Sequence, residues 1–344
     1  MTEINKKHGT PDLPPVVFGT SAFGNLYTAL DDRIKLDIVK ECIRHSSGKV
    51  VFDSAGKYGA GLSLECLGRS LRELRVDPGK VIISNKLGWF RTELKTEEPT
   101  FEPGVWKGLQ YDAVQKISFE GIMECFEQGN ELLDGYTPQM VSVHDPDEYL
   151  AKAGNKDQEE ERYQDILAAY RALAELKSAG KVMAIGVGAK NWKVIRRISA
   201  DVQLDWVMIA NSMTIKSHPQ DLTGFMKGLE NSGIPIINSA VFHSGFLTGS
   251  DYFDYRLIKP DSEENREIFK WRAAFFKLCE AFNIKPAEAC VRFALKAPGV
   301  KSIALNTSNP QRVRENIAMA LAEIPGEFWE AMHHGGLIQG NFLV

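Results

Sequence analysis

Four side chains of different chemistry stand at or just beyond the ends of three short apolar runs. Asp53 closes Val50-Val51-Phe52, with Tyr58 in the segment that follows; Lys86 closes Val81-Ile82-Ile83-Ser84-Asn85, and His144 closes Met140-Val141-Ser142-Val143. A phenol titrates near pH ~10 and is a weak acid or base at neutrality. An ammonium beside it favours the phenolate, and a carboxylate beside the ammonium keeps the amine charged and oriented. An imidazole on the next strand can donate to a substrate oxygen or position it. The set suits proton transfer at an alcohol or carbonyl oxygen. A Schiff base is the other chemistry open to a barrel lysine, but it requires an apolar pocket around the amine and leaves Tyr58 without a part.

For these side chains to meet, their strands must run parallel and open on one face, as they do at the carboxyl end of a β/α barrel. Eight runs have the short, β-branched character of buried parallel strands: 16–20, 50–53, 81–86, 140–144, 183–188, 206–210, 234–240 and 301–305. Between them lie segments of helical period, clearest over 35–45, 63–74, 162–178 and 311–321. In the third of these, Ile166, Leu167, Tyr170, Leu173, Ala174 and Leu176 repeat at helical spacing, and Gly180 supplies the stop. The unbroken series predicts an α/β chain, a single (β/α)8 TIM barrel spanning 1–344 as one domain, with long strand-to-helix loops over the active-site face. A Rossmann reading fails because Gly19-Thr20-Ser21-Ala22-Phe23-Gly24 has the wrong spacing for the dinucleotide fingerprint. Three connections, 87–112, 145–161 and 241–265, exceed ordinary loop length and are expected to wall or cover a substrate.

Bulk properties narrow the partners. The 344 residues are 44% hydrophobic and 25% charged, with a net charge of −4, which fits a globular protein and argues against nucleic acid or an anionic membrane surface. No apolar stretch has the length of a membrane span, and Met1–Lys7 is charged without an apolar core behind it, so a cytoplasmic location is expected. The five scattered cysteines form no C-x-x-C pair and read as buried reduced thiols. His333-His334 lacks a third ligand, and no metal site is expected.

Several stretches together resemble the aldo-keto reductases along almost the whole chain. Phe52-Asp53-Ser54-Ala55-Gly56-Lys57-Tyr58-Gly59, followed by Glu65, Leu67-Gly68 and Leu71, is similar to that family's D-T-A-x-x-Y-G…E-x-x-L-G-x-x-L motif. Lys86 and His144-Asp145 stand where the family keeps its lysine and its strand-4 histidine. Leu176–Val187 resembles the passage before the nicotinamide site, and Asn306–Asn316 the segment that meets the adenosine phosphate. The resemblance implies hydride transfer between a nicotinamide cofactor and a carbonyl or alcohol. It makes Tyr58 the general acid or base, Lys86 the group that lowers its pKa, Asp53 the partner of Lys86, and His144 the substrate-orienting donor. It also implies cofactor contacts from Gly19, Thr20, Ser21, Asp53, Ser239, Phe242, Ser244, Asn306, Thr307, Ser308, Arg312, Glu315 and Asn316. The last of these segments opens a helix, where main-chain N–H groups favour phosphate.

The chain departs from the family pattern at four places. Gly188-Ala189-Lys190-Asn191 replaces the usual Ser-Asn pair that holds the carboxamide, which leaves Asn191 as the substitute. Ala210 replaces a glutamine, with Asn211 adjacent, and no tyrosine near Asn238-Ser239-Ala240 can stack on the nicotinamide, so Phe242 is the replacement. Asn306 stands where NADPH-using members place a lysine, which favours NAD over NADP, although Arg312 remains as a phosphate partner. His144-Asp145-Pro146-Asp147, Gly186-Val187-Gly188, Ile236–Ala240 and Gln110-Tyr111-Asp112 resemble the aldose 1-dehydrogenase branch, which includes L-fucose (D-threo-aldose) and L-galactose dehydrogenases. That branch implies oxidation of the anomeric hydroxyl of a free aldose such as L-fucose, L-galactose or D-arabinose to a lactone. Trp89, Trp106, His144 and Asp145 would then contact the sugar, and loop solvation is the other fate open to Asp147. Pyridoxal or another carbonyl is the alternative substrate, and a non-catalytic nucleotide-sensing subunit the alternative of another class. A monomer or small homo-oligomer is expected.

Overall fold

A computed structural model describes residues 12–254 and 256–339; the charged start Met1–Lys7 and the end of the tail lie outside these residues. Its eight parallel strands are β1 (Val16–Gly19), β2 (Val50–Ala55), β3 (Val81–Leu87), β6 (Met140–His144), β7 (Ala184–Ala189), β8 (Trp206–Ala210), β9 (Ile236–Ser239) and β12 (Val300–Asn306). They close on themselves in the order β1-β12-β9-β8-β7-β6-β3-β2. Around them run α1 (Asp32–His45), α2 (Leu62–Glu73), α3 (Phe119–Leu133), α4 (Pro146–Ala151), α5 (Lys156–Ser178), α6 (Trp192–Asp201), α7 (Gln220–Asn231), α8 (Arg266–Ala281), α9 (Pro286–Lys296), α10 (Arg312–Leu321) and α11 (Gly326–His334). This is the (β/α)8 barrel expected from the sequence. No helix among the described residues is long and apolar enough to cross a membrane.

The strand period decides what enters the barrel. Val17, Val51, Ile82, Met140, Ala184, Trp206, Met208 and Ile237 form one interior cluster, while Phe18, Phe52, Ile83, Val143 and Val187 pack outward against the helices. Counting on by twos, Gly19, Asp53, Ser84, Lys86, Ser142, His144, Gly188, Ala210 and Ser239 face the same interior toward the carboxyl end. Apolar side chains therefore plug the middle, and a polar layer lies above. Trp206 is the largest plug, and Gly186 makes room for it: a Cβ there would lie 2.2 Å from the indole.

The long connections are more structured than loops. Within 87–112 and just beyond it, β4 (Trp89–Glu93) pairs antiparallel with β5 (Tyr111–Gln115), a hairpin whose tip carries Phe101 and Trp106. The segment 145–161 contains α4 and the first turns of α5, which begins at Lys156 under an Asn155 cap that accepts from Gln158 N. The third holds a short antiparallel ladder between β10 (Tyr252–Phe253) and β11 (Arg256–Leu257).

Candidate active site

At the barrel mouth Lys86 Nζ donates to Asp53 Oδ2 at 2.5 Å and to Ser54 O at 3.3 Å, and Ser84 Oγ donates to Asp53 Oδ1 at 3.1 Å. The parallel register that sets Asp53 opposite Ser84, and Ala55 opposite Lys86, makes this arrangement possible. Tyr58 arrives on the turn after β2, with Lys86 Nζ 4.9 Å from its ring centroid and the His144 ring edge-on at 5.5 Å. Two backbones meet to hold that turn: Gly59, at φ +62°, lies so close to Gly24 that a Cβ would sit 2.4 Å from the Gly24 carbonyl oxygen. A side chain at either glycine would push Tyr58 away from the mouth.

Electrostatics follow from burial. Burial works against the charge of Lys86, but Asp53 and Tyr58 outweigh it and hold the amine above its ordinary value. Burial likewise pushes the Tyr58 phenol up; the Lys86 charge pulls it down, and the net shift is upward. The sequence expectation of a lowered phenol thus captures the pull of Lys86 but not the larger cost of burial. His144 is held well below its ordinary value by burial and then by the charges of Lys57 and Lys86, so its imidazole is neutral. Its Nε2 lies 3.4 Å from Asp145 Oδ2, and its buried Nδ1 has no protein partner.

A cavity of about 670 Å³ opens over these groups. Asp53, Tyr58, Lys86, His144, Asp145 and Trp106 line it, as do Gly19, Ser21, Ser239, Phe242, Ser244 and Asn306. Asn306 Nδ2 donates to Ser21 Oγ at 2.8 Å, joining the ends of β12 and β1. Other residues singled out in the sequence lie elsewhere. Thr20 is fully buried, donating to Asp53 O and accepting from Ser63 Oγ, and so clasps β1 to β2 behind the wall. Asn191 caps α6, its side chain accepting from Lys193 N. Trp89 packs on Phe101 beneath the hairpin tip, outside the cavity lining, because β4 turns it into that small core. Asn211, Thr307, Ser308, Arg312, Glu315 and Asn316 also fall outside the lining; the last five belong to the turn after β12 and to α10.

The sequence reading gave no role to Lys57, Glu102, Tyr27 or Lys190, all of which line the cavity. Lys57 was visible only as an unspecified position of the Tyr58 motif. Glu102 sits on the long connection 87–112, and Tyr27 and Lys190 on the loops after β1 and β7, where residue type gives no register. Among the described residues, no group of three or more His, Cys, Asp or Glu is placed to hold a metal ion.

A closed β/α barrel with a half-buried phenol beside a buried amine and carboxylate at its carboxyl mouth defines a class of barrel enzyme acting at an alcohol or carbonyl oxygen. Residues 15–334 match the model of the aldo/keto reductase family, and the chain belongs to it. A pyridoxal 4-dehydrogenase of Microbacterium luteolum is 27% identical over 334 residues, covering 93% of each chain. A D-threo-aldose 1-dehydrogenase of a Pseudomonas species is 24% identical, covering 95% of each. The structure of a glycerol dehydrogenase from Gluconobacter oxydans superposes with a TM-score of 0.69 at 18% identity, covering 95% of this chain and 93% of that one.

The protein is therefore an NAD(P)-dependent oxidoreductase. The chain's residues fit such a cofactor. Beyond the polar lining, Asn211 Oδ1 and Asn316 Nδ2 are buried amide atoms without a protein partner, beside the strand end at Ala210 and on α10 respectively. Buried polar atoms of that kind call for a ligand or water.

Proposed function

We propose that the protein oxidises the hydroxyl of a cyclic hemiacetal, foremost the anomeric hydroxyl of a free aldose, to a lactone with NAD. The observation that carries this reading is the character of the cavity wall. Beside the apolar Leu26, Val105 and Trp106, three charged side chains, Glu102, Asp145 and Lys57, line the cavity together with Tyr58 and His144, so a substrate there meets hydrogen-bonding groups as well as hydrocarbon. Tyr58 removes the hydroxyl proton, Lys86 stabilises the resulting phenolate, and Asp53 keeps Lys86 charged. The neutral His144 ring orients the reacting oxygen, and Trp106 packs on the apolar face of the sugar ring. When bound, the nicotinamide supplies the acceptor for the hydride leaving the carbon. Gly19, Ser21, Ser239, Phe242, Ser244 and Asn306 would hold it. A neutral Asn306, in place of a lysine, removes a charge-assisted contact to a 2′-phosphate and so favours NAD.

A second substrate, pyridoxal, is supported by the similarity to the pyridoxal 4-dehydrogenase. Pyridoxal closes on its own hydroxymethyl group to a cyclic hemiacetal, so the same residues would act on it in the same way. Steady-state oxidation of L-fucose, L-galactose, D-arabinose and pyridoxal with NAD and with NADP separates the two readings. Sugar turnover with NAD is expected, and turnover of pyridoxal alone removes the aldose reading.

A further inference from the structure

Lys57 is a buried lysine in the wall of the active-site cavity, one residue before Tyr58. Its ammonium reaches three carboxylates from two separate segments: Glu102 Oε1 at 2.8 Å, Glu148 Oε2 at 3.2 Å and Asp145 Oδ2 at 3.3 Å. Burial opposes the charge, and Asp145, Glu102 and Glu148 together overcome it, so the amine stays protonated. Each carboxylate is tied to something further. Glu102 Oε2 accepts from Trp106 Nε1 at 2.7 Å, Asp145 Oδ2 lies 3.4 Å from His144 Nε2, and Glu148 Oε1 meets Lys190 Nζ at 2.5 Å. Asp145, Lys57 and Glu102 thus link the neutral histidine beside Tyr58 to the tryptophan that packs on it.

The arrangement has a chemical preference. An ammonium has three N–H donors, and here it lies within 3.3 Å of three carboxylates, with hydrogen bonds to Asp145 and Glu148. A carboxylate pair such as Glu102 and Asp145 retains lone pairs beyond those contacts, and both residues line the cavity. The wall therefore offers acceptors and asks for donors. Hydroxyl groups supply donors; carbonyls, ethers and hydrocarbon do not. The cluster of Glu102, Asp145 and Glu148 against Lys57 and Lys190 carries one excess negative charge, which disfavours a phosphate or carboxylate bound directly against it.

We infer that Glu102 and Asp145, aimed by Lys57, form a hydroxyl-recognition subsite that selects uncharged substrates bearing hydroxyls next to the reacting carbon. Lys57 is a positioning residue in this subsite, acting through the carboxylates. The inference deepens the proposed function and rests on its claim that substrate occupies this cavity.

The test compares reduction of glyceraldehyde, glyceraldehyde 3-phosphate and propionaldehyde with NADH in the intact enzyme. Wild type is expected to favour glyceraldehyde over propionaldehyde by at least about tenfold in kcat/KM, through KM, as a hydrogen bond to a charged group would give. It is expected to discriminate against the phosphate ester as well. Lys57→Met is expected to erase most of that preference by raising the glyceraldehyde KM, and Lys57→Arg to restore part of it. Glu102→Gln, at a more exposed site, tests the same wall without burying an unpaired charge. Three results overturn the inference: no preference in wild type, a preference unchanged in both Lys57→Met and Glu102→Gln, or kcat falling equally with both aldehydes. The last would mark Lys57 as a fastener of the hairpin tip only. The aldose reading fails separately, if L-fucose, L-galactose and D-arabinose are not oxidised while the Lys57-dependent preference persists.

Discussion

Lys86 Nζ sits 2.5 Å from Asp53 Oδ2, and both side chains are almost wholly buried. A buried ion pair is costly to form and more costly to break, because removing one partner strands the other charge. Asp53→Asn is therefore expected to lower the Lys86 pKa and, through it, the stabilisation of a Tyr58 phenolate. Lys86→Met removes that stabilisation outright. We expect turnover to fall by ~10²-fold or more in Lys86→Met, with NAD binding retained, and by a smaller factor in Asp53→Asn. Fluorescence titration of the nucleotide beside steady-state kinetics makes the comparison. Unchanged turnover in Lys86→Met would remove its proposed role.

The direction of the pH profile follows from the phenol. Burial raises the Tyr58 pKa and Lys86 opposes that rise. A base that must be deprotonated is scarcer the further its pKa lies above the working pH, so kcat/KM for oxidation is expected to climb as pH rises through the alkaline range. Removing the Lys86 charge takes away the downward pull, so in Lys86→Met the rising limb should move to higher pH. An oxidation profile that is flat from neutrality to the alkaline range would argue against Tyr58 as the base.

Packing inside the barrel gives a prediction independent of chemistry. At Gly186 an added Cβ meets the Trp206 indole at 2.2 Å, and a rigid, fully buried ring has nowhere to go. Gly186→Ala is expected to destabilise the fold by about 1–3 kcal/mol as overpacking. Gly224 lies within α7, with nothing within 4 Å of its hypothetical Cβ. Gly224→Ala is expected to stabilise by about 0.4–1 kcal/mol through the entropy of the unfolded chain. Thermal unfolding of both variants would show shifts of opposite sign.

The barrel was legible because buried parallel strands are short β-branched runs, and all eight expected strands are present within a few residues of their expected ends. The connections were less legible for identifiable reasons. The strands of the hairpin, Trp89–Glu93 and Tyr111–Gln115, are separated by a long insert and not by a tight turn, so the short-turn signal that reveals hairpins is missing. The first turns of α5 are a run of charges without apolar period and so fall within the expected connection 145–161, although Asn155 followed by Asp157 and Glu159 is a recognisable helix start. Lys57 escaped notice because nothing in local sequence says that Glu102 and Asp145 will meet it; those contacts span residues far apart in the chain.

Nucleotide choice can be read at one position. Asn306 closes β12, lines the cavity and donates through Nδ2 to Ser21 Oγ at 2.8 Å, so its amide is held where the barrel's first and last strands meet. A lysine there would present an ammonium to a 2′-phosphate, and a charge-assisted hydrogen bond of that kind contributes roughly 1.5–3 kcal/mol. Wild type is expected to turn over faster with NAD than with NADP at subsaturating nucleotide. Asn306→Lys is expected to raise kcat/KM for NADP by about tenfold or more while changing the NAD value much less. Loss of the bond to Ser21 affects both nucleotides alike and cancels in the ratio, so the ratio of the two kcat/KM values is the quantity to measure. A ratio that does not move would place the 2′-phosphate elsewhere and turn attention to Arg312, which stands at the start of α10.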